Sequence, residues 1–324
     1  MPNKNKEYLE IIIDLNAVIL SIDLEDNMRL KVLTIKGSAN TLPWGLYNPN
    51  HHKTMERGLR HWVKQQTDMT LMSVVQLYTF ADSGRFSYGD PNRHIVSVGY
   101  LACVKPNISQ SQPNEQWSDI YSYFPWEDFS HGRPAILSDY ILPELFKWSD
   151  GEETDQRILA CFGNDGDVWE DENVLTRYEI MYEAGLVFEA VRDASKDMTG
   201  DIEISTEDTK LPTGTYMQYD HRRILATALG RIRAKVKYKS VIFDLMPDAF
   251  TLFELQKAAE SVFGHKIHKQ NFRRFVEREK LVVKTGQIRN QPSGRPAQIY
   301  AFNSELIGKP NVPGLKIGNS NSAH

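Results

Sequence analysis

TLFELQKAAESVFGHKIHKQNFRRFVEREKLVV, residues 251–283, predicts two helices separated by a short turn. Thr251, with Glu254 three residues later, is a capping box that begins the first helix. Gly264 is typical of the residue that ends a helix in a left-handed conformation. Apolar residues recur every three or four positions on both sides of the turn HKIH, so each predicted helix has one buried face.

A strand-like pair follows the two helices and completes the predicted unit. Residues 281–283 and 298–302 are apolar or aromatic, and a loop that contains Gly, Pro and Arg joins them. Helix, turn, helix and hairpin is the order of a winged helix-turn-helix. In that arrangement the second helix enters the DNA major groove, and the hairpin loop reaches a neighbouring backbone or minor groove.

The second helix and the hairpin loop carry the predicted DNA contacts. Phe272, Phe275 and Val276 fall on the buried side of this helix, which leaves basic and amide side chains on the other. Arg, Gln and Asn can bond a base edge through two atoms, whereas Lys suits phosphates. The predicted DNA-binding residues are Lys269, Gln270, Asn271, Arg273, Arg274, Arg278, Arg289 and Arg295. A solvated basic helix face is the alternative.

Charge is segregated along the chain. From Tyr219 onward there are 19 Lys and Arg against 8 Asp and Glu, a net charge of +11, whereas residues 1–218 carry a net charge of −15. A basic C-terminal third indicates contact with a polyanion such as DNA. A basic half that docks on an acidic half of the same chain is the alternative explanation.

Residues 1–218 have the pattern of a mixed α/β domain with a helical extension. Strand-like runs accompany an amphipathic helix at 53–66, which favours an α/β layer arrangement. The strand-like runs are residues 9–20, 30–35, 72–80 and 95–104. The stretch 137–196 is mostly helical in pattern, and 197–215 is polar and predicts a loop. Residues 220–237 predict a helix with arginines opposite its apolar side.

Composition and short signals exclude several classes of protein. The chain is 41% hydrophobic and 25% charged, the balance of a globular protein. No apolar run approaches the length of a transmembrane helix, and the first ten residues lack the apolar core of a signal peptide. Cys103 and Cys161 are too few for a disulfide framework or a Cys-based zinc site. We therefore expect a cytoplasmic protein with reduced cysteines and no membrane partner.

Segments in both halves resemble one family of regulators. LPWGLYNPNHHKTMERGLRHWVKQQTDM, VVQLYTFADSGRF and HIVSVGYLACV resemble the core of a Nudix domain. DHRRILATALGRIRAKVKY, FTLFELQKAAESVFG, KQNFRRFVEREKLV and GRPAQIYAF are similar to the winged-helix half of the Nudix-related transcriptional regulators of NAD metabolism, the NrtR family. The resemblance covers most of residues 9–105 and 219–303. The helical stretch at about 137–217 looks closer to the longer, NadQ-like branch.

The resemblance implies an α/β (α+β) fold class: a Nudix-like sandwich with a helical insertion, followed by a C-terminal winged helix-turn-helix domain. The implied effector-binding domain is 1–218, with its helical extension at about 137–196. A connecting helix at 219–238 leads to a DNA-binding domain at 239–303. The tail at 304–324, with three glycines and two prolines, is expected to be disordered.

The family's Nudix box, G-x5-E-x7-R-E-U-x-E-E-x-G-U, binds divalent metal through glutamates and activates water. Gly45 matches the box glycine, but His51 occupies the first Glu position, and the R-E-U-x-E-E core falls on residues 61–66, HWVKQQ. Glu56 is the only acidic residue between positions 46 and 67. No register of the box supplies a carboxylate cluster. His51, His52 and His61 lack the spacing of a zinc site. We expect no catalytic residue and no metal.

Aromatic residues and arginines near the box predict an effector site. Rings with a phosphate-holding arginine suit an adenine nucleotide, although alternating aromatics in strands are also typical of a core. The predicted effector-binding residues are Trp44, Tyr78, Phe80, Arg85 and Arg93. The resemblance implies NAD, ADP-ribose or ATP as the effector, with no cofactor required.

The function implied by the resemblance is repression of NAD biosynthesis or salvage genes. A homodimer would bind a double-stranded DNA operator with matching twofold symmetry. Both effects of the nucleotide are compatible with the resemblance: it either releases the protein from DNA or promotes DNA binding. One alternative is a Nudix hydrolase of ADP-ribose or a related dinucleotide with an accessory nucleic-acid-binding domain. Another is a winged helix that binds RNA or protein.

Overall fold

The structure, a computed structural model, describes residues 10–82, 93–106, 114–163, 169–199, 211–290, 296–306 and 314–315. They form a larger mixed sheet, a group of helices and a smaller sheet. None of the helices in these ranges is both long enough and apolar enough to cross a membrane. Cys103 and Cys161 are free thiols.

The larger sheet is built mainly from the first 120 residues. Its strands are β1 (Glu10–Asp23), β2 (Arg29–Ile35), β3 (Trp44–Leu46), β4 (Val75–Phe80), β5 (Arg93–Cys103) and β6 (Glu115–Asp119). The strand order is β4-β5-β1-β2-β6, and β3 pairs with β1. β1 and β5 run parallel, and the other pairs are antiparallel. The strands predicted for this half are therefore present.

The structure describes eight α-helices. They are α1 (Met55–Thr67), α2 (Leu142–Trp148), α3 (Glu152–Phe162), α4 (Val174–Glu183), α5 (Phe188–Thr199), α6 (His221–Tyr238), α7 (Leu252–Phe263) and α8 (Lys269–Arg278). A π-helical turn, Leu137–Ile141, leads directly into α2. Helices α2 to α5 correspond to the helical extension predicted from sequence. The long α6 then connects this extension to α7 and α8.

Helices cover both faces of the larger sheet. On one face α1 buries Leu59 and Val63 in a cluster with Leu15 of β1. On the other face the sheet shares one larger hydrophobic core with α6, the helical extension and α7. A methyl group added at Gly99 of β5 would lie 3.0 Å from Ile224 Cγ2, so α6 lies directly against the strand. This is a sandwich with the sheet in the middle.

The C-terminal elements form the winged helix-turn-helix. β7 (Phe250–Thr251), β8 (Val282–Arg289) and β9 (Ala297–Phe302) make an antiparallel sheet in the order β7-β9-β8. The Thr251 hydroxyl accepts a hydrogen bond from the Glu254 N–H at 3.2 Å, and the Glu254 carboxylate accepts one from the Thr251 N–H at 2.7 Å. The predicted capping box is therefore confirmed. Gly264 ends α7 with φ of 80°, also as predicted.

Two C-terminal segments differ from the sequence-based expectation. β8 continues to Arg289, so its pairing with β9 takes up part of the segment expected to be loop. Part of the tail is ordered: Ser304–Leu306 forms a 3-10 turn, and Leu315 is buried. The Leu315 N–H donates to the Val236 carbonyl oxygen of α6 at 2.7 Å. Burial of this apolar side chain offsets the entropy lost when the chain is held in place.

Helix α6 corrects the expected separation of arginines from apolar residues. The arginines do not all lie on one polar side, because α4 also packs against α6. Arg222 and Arg233 are fully buried. Arg222 donates to the Tyr123 carbonyl oxygen and, at 3.2 Å, to the Glu189 carboxylate. The sequence pattern missed these buried ion pairs because spacing alone does not show where acidic partners come from.

Arg233 belongs to a buried ionic cluster that joins distant parts of the chain. The Glu127 carboxylate accepts hydrogen bonds from Arg177 Nε of α4 and from Arg233 Nη1, each at 2.6 Å, and all three side chains are fully buried. Arg233 Nε also donates to the Val262 carbonyl oxygen of α7 at 3.0 Å. Burial alone would raise the pKa of Glu127, but the two guanidiniums hold it below its usual value.

We expect Glu127→Gln to lower the free energy of unfolding by about 3–5 kcal/mol, since it leaves two buried guanidiniums without a counter-charge. Denaturant unfolding at neutral pH measures this loss. The depressed pKa makes the wild-type carboxylate stabilising at neutral pH, and this stabilisation disappears as pH falls through the folded-state pKa. The stability gap between wild type and variant should therefore narrow in acid.

The control for this substitution is Glu144→Gln, which removes a carboxylate from an exposed ion pair with Lys147. Its expected effect is below about 0.5 kcal/mol. Similar losses in the two variants would contradict the structural role assigned to Glu127.

Candidate nucleic-acid interface and effector site

Helix α8 presents one apolar and one cationic face. Phe272 and Val276 are buried, and Phe275 is partly covered. Because the helix repeats every 3.6 residues, the intervening side chains point to solvent. All the candidates that sequence reasoning placed on this helix are exposed: Lys269, Gln270, Asn271, Arg273, Arg274 and Arg278. In the part of the chain that the structure describes, Lys269, Arg273 and Arg274 form no ion pair.

The two outer arginines of this surface already have partners. Arg278 donates to Glu279 at 2.9 Å and lies 5.5 Å from the Phe275 ring. Arg289, at the end of β8, pairs with the Glu254 carboxylate at 2.5 Å. The side chain that caps α7 therefore also contacts the loop end of the hairpin. A DNA phosphate would have to replace Glu254 as the partner of Arg289. Arg295 lies outside the described residues.

Further cations near the helix-turn-helix were missed by sequence reasoning. Lys266, in the turn before α8, and Lys284, on β8, are exposed. Apart from its first residue, β8 is exposed along its whole length. A search for every Lys and Arg in the turn and hairpin, rather than in the second helix and loop tip alone, would have included both.

The residues aligned with the Nudix box serve local packing. A methyl group at Gly45 would lie 2.2 Å from the Trp62 ring, so the indole packs against this glycine. Trp62 Nε1 donates to the Leu46 carbonyl oxygen at 3.0 Å. The Gln66 side chain accepts from the Trp44 N–H at 3.1 Å and donates to the Trp44 carbonyl oxygen at 2.7 Å. These contacts fix α1 to β3.

A divalent metal does not fit this box. Glu56, the acidic residue of α1, pairs with Arg60 at 2.8 Å. The Gln66 side chain is occupied by backbone groups, and His52 packs against His61 with 5.2 Å between ring centres. Within the described ranges, no group of three His, Cys, Asp or Glu side chains could hold a metal ion. Magnesium prefers a set of hard oxygen ligands, which these side chains do not provide.

The predicted effector residues are only partly brought together. Phe80 is buried beside Tyr78, which is 57% exposed. Trp44 packs edge-on against Tyr219, with 4.8 Å between ring centres. Arg93 is exposed and pairs with Glu10 at 2.9 Å. Arg85 lies outside the described residues.

A small cavity links two of these neighbourhoods. Its volume is about 20 Å³, room for about one water molecule. The lining residues are Asp14, Phe80, Asp82, Ile95, Ser97, Tyr219, Asp220 and Arg223. Phe80 therefore lines it directly, and Trp44 contacts it through Tyr219. Arg223 was not among the predicted effector residues, because sequence reasoning assigned α6 to connection rather than to binding.

A larger cleft lies at the opposite ends of β1 and β5. Its volume is about 1180 Å³, and its walls include Asp23, Lys105, Lys235 and Asp244. None of the predicted effector residues that the structure describes lines it. Cys103 also lines this cleft, and burial raises the pKa of its thiol to about 12, which makes the thiol unreactive at neutral pH.

Comparison with known proteins identifies the C-terminal domain. The family model of the NrtR DNA-binding winged helix domain matches residues 242–302. The ADPR responsive transcriptional repressor NtrR of Acinetobacter baylyi is 37% identical over 86 residues, which make up 26% of this chain and 34% of that relative. The chain thus matches about a third of the length of this curated relative.

Two solved structures share the overall fold. Shewanella oneidensis NrtR is 18% identical, with a TM-score of 0.52, over 94% of this chain and 99% of that chain. The same protein complexed with a 27mer DNA is 18% identical, with a TM-score of 0.50, over 90% of this chain and 93% of that chain. The expected resemblance to the NrtR family is confirmed. The expected fold, a Nudix-like sandwich followed by a winged helix-turn-helix, is also confirmed.

The two faces of α8 predict opposite mutational outcomes. Phe272→Ala should lower the free energy of unfolding by about 3–5 kcal/mol, because it empties a fully buried site. Arg273→Ala should leave the melting temperature nearly unchanged, because this side chain is exposed. Thermal unfolding of both variants tests the assignment. A loss at Arg273 as large as that at Phe272 would mean that the two faces are assigned wrongly.

Proposed function

We propose that this chain is a DNA-binding transcriptional repressor whose Nudix-like domain senses ADP-ribose without hydrolysing it. The observation that carries the proposal is the exposed cationic face of α8, in a domain that matches the NrtR winged helix model. Lys269, Arg273 and Arg274 have no ion pair among the described residues, so DNA can engage them without breaking an internal contact. This property favours a binding surface over a structural one.

Different parts of the surface take different roles on DNA. Gln270, Asn271, Arg273 and Arg274 are suited to base edges in the major groove, and Lys269 is suited to a phosphate. The hairpin, with Arg289 and the predicted Arg295, reaches the adjacent backbone or minor groove. Two copies of the chain bind a twofold-symmetric operator upstream of NAD biosynthesis or salvage genes.

We assign effector binding to residues 1–218, connection to 219–238 and DNA binding to 239–303. Among the candidate effectors NAD, ADP-ribose and ATP, we choose ADP-ribose, because the related Acinetobacter repressor is described as ADPR responsive. We place the site on the surface around the small cavity beside Phe80 and Tyr219, since the cavity itself has room for only about one water molecule. Trp44 and Tyr78 are the nearby aromatic surface, and Arg85 and Arg93 are the predicted phosphate contacts. Binding there changes DNA affinity through a coupling free energy between the two sites.

A sensing role, rather than hydrolysis, is supported by the composition of α1. A Nudix hydrolase needs carboxylates that hold metal and activate water. Glu56 is already paired with Arg60, and Gln66 is bonded to the backbone of Trp44. The competing function, hydrolysis of ADP-ribose or a related dinucleotide, would have to use other residues to hold metal and activate water.

The first test of this function concerns Lys269. Lys269→Ala should weaken binding to an operator and to random duplex DNA alike, because a phosphate contact carries no sequence information. The dependence of log affinity on log salt should become shallower by about one unit. Fluorescence anisotropy over a salt series measures both effects. Loss of operator binding alone would assign Lys269 to base recognition instead.

The second test concerns coupling. ADP-ribose should change operator affinity by roughly 5- to 150-fold, and operator DNA should change ADP-ribose affinity by the same factor. Calorimetry in chelator, with free and operator-bound protein, measures the reciprocal effect for ADP-ribose, NAD and ATP. A parallel assay for AMP release with magnesium or manganese tests the hydrolase alternative. Equal affinities in both states for every nucleotide, or steady turnover, would contradict the proposed sensor.

A further inference from the structure

Arg223 forms the charged wall of the small cavity. Its Nη1 donates to Asp82 at 2.7 Å and to Asp220 at 3.2 Å, and its Nε donates to Glu179 of α4. The guanidinium also lies 4.9 Å from the centre of the Phe80 ring. Burial alone would lower the pKa of Arg223, but the surrounding carboxylates raise it, so the side chain stays cationic at any physiological pH.

The three carboxylate partners of Arg223 differ in how firmly they are held. Asp220 directly precedes α6 and its side chain is 13% exposed, and Glu179 lies on α4 and is 23% exposed. Asp82 follows the end of β4 and is 52% exposed. An ion pair with a half-exposed carboxylate is the weakest of the three, because water can solvate the released charge. Asp82 is therefore the partner that a ligand displaces at the lowest free-energy cost.

We propose that Arg223 binds the diphosphate of the effector by exchanging the Asp82 carboxylate for phosphate oxygens, so that the Asp82–Arg223 ion pair is a latch on the effector site. This inference rests on the proposed sensor function and deepens it. Asp82 lines the cavity and also reaches solvent, so its departure opens the cavity at the guanidinium. The planar fork of Arg suits two phosphate oxygens at once.

The position of Arg223 also explains how the exchange reaches the DNA-binding domain. Arg223 and Arg233 lie ten residues apart on α6, which corresponds to about 15 Å along the helix axis. Arg233 bonds the Val262 carbonyl oxygen of α7. A change of partners at Arg223 therefore acts on the same continuous helix that holds the first helix of the winged domain.

The test is ADP-ribose binding by full-length variants in chelator, measured by calorimetry. Asp82→Asn removes the competing charge and should raise ADP-ribose affinity about two- to fivefold, the range expected for a half-exposed ion pair. Arg223→Lys keeps the charge but loses the fork, and should lower the affinity by at least about tenfold. Thermal unfolding shows whether each variant keeps the wild-type fold.

The matched control is Glu183→Gln, which breaks a comparably exposed ion pair with Arg157, outside the cavity lining, and removes the same charge. It should leave ADP-ribose affinity unchanged. An equal increase with Glu183→Gln and with Asp82→Asn would overturn the latch, because the gain would then follow net charge and not the loss of Asp82. No binding by wild type or Asp82→Asn would also overturn it.

Operator affinity separates this inference from the proposed function. Nucleotide-free Asp82→Asn should shift operator affinity in the same direction as ADP-ribose shifts wild type, because both open the latch. If ADP-ribose changes wild-type operator affinity but Asp82→Asn binds ADP-ribose like wild type, the latch fails and the sensor function remains. If Asp82→Asn raises ADP-ribose affinity and operator affinity never changes, the latch remains and the sensor function fails.

Discussion

The arrangement of the molecule depends on the buried ion pairs of Glu127. This carboxylate supplies the negative charge that allows both Arg177 of the helical extension and Arg233 of α6 to lie away from water. Either guanidinium alone would be expensive to bury. Arg233 in turn bonds the backbone of α7 at Val262. One charge thus sets the relative positions of the sandwich, the extension and the winged helix.

The winged domain is accordingly held against the sheet, not tethered to it. The Ser261 hydroxyl at the end of α7 accepts from the Leu30 N–H of β2 at 2.6 Å, and Tyr121 donates to the Ser261 carbonyl oxygen at 2.7 Å. Gly264 completes the contact, since a methyl group there would lie 2.4 Å from the Glu127 carbonyl oxygen. Under the proposed function, a change at the cavity would therefore reach α8 as a rigid displacement of packed elements.

Local signals in the sequence predicted the winged domain well. The capping residues Thr251 and Glu254 act within one helical turn, and the apolar spacing around Phe272 determines the exposed face of α8. Contacts made by residues far apart in the chain were not predictable in the same way. The burial of Arg222 depends on Glu189, 33 positions away, and the position of Arg223 at the cavity depends on Asp82, 141 positions away. Helical periodicity carries no information about such partners, so the lining of the small cavity could be predicted only in part.

The paired hydrogen bonds between Gln66 and the Trp44 backbone constrain which side chain can occupy position 66. The amide donates to the carbonyl oxygen and accepts from the N–H of one residue, whereas an ionised carboxylate has no donor. A glutamate at position 66 would place a negative charge against that carbonyl oxygen and would lose the donor that holds α1 to β3. The residue type that a Nudix box uses to hold metal therefore conflicts, at this position, with the contact that fixes the helix to the sheet.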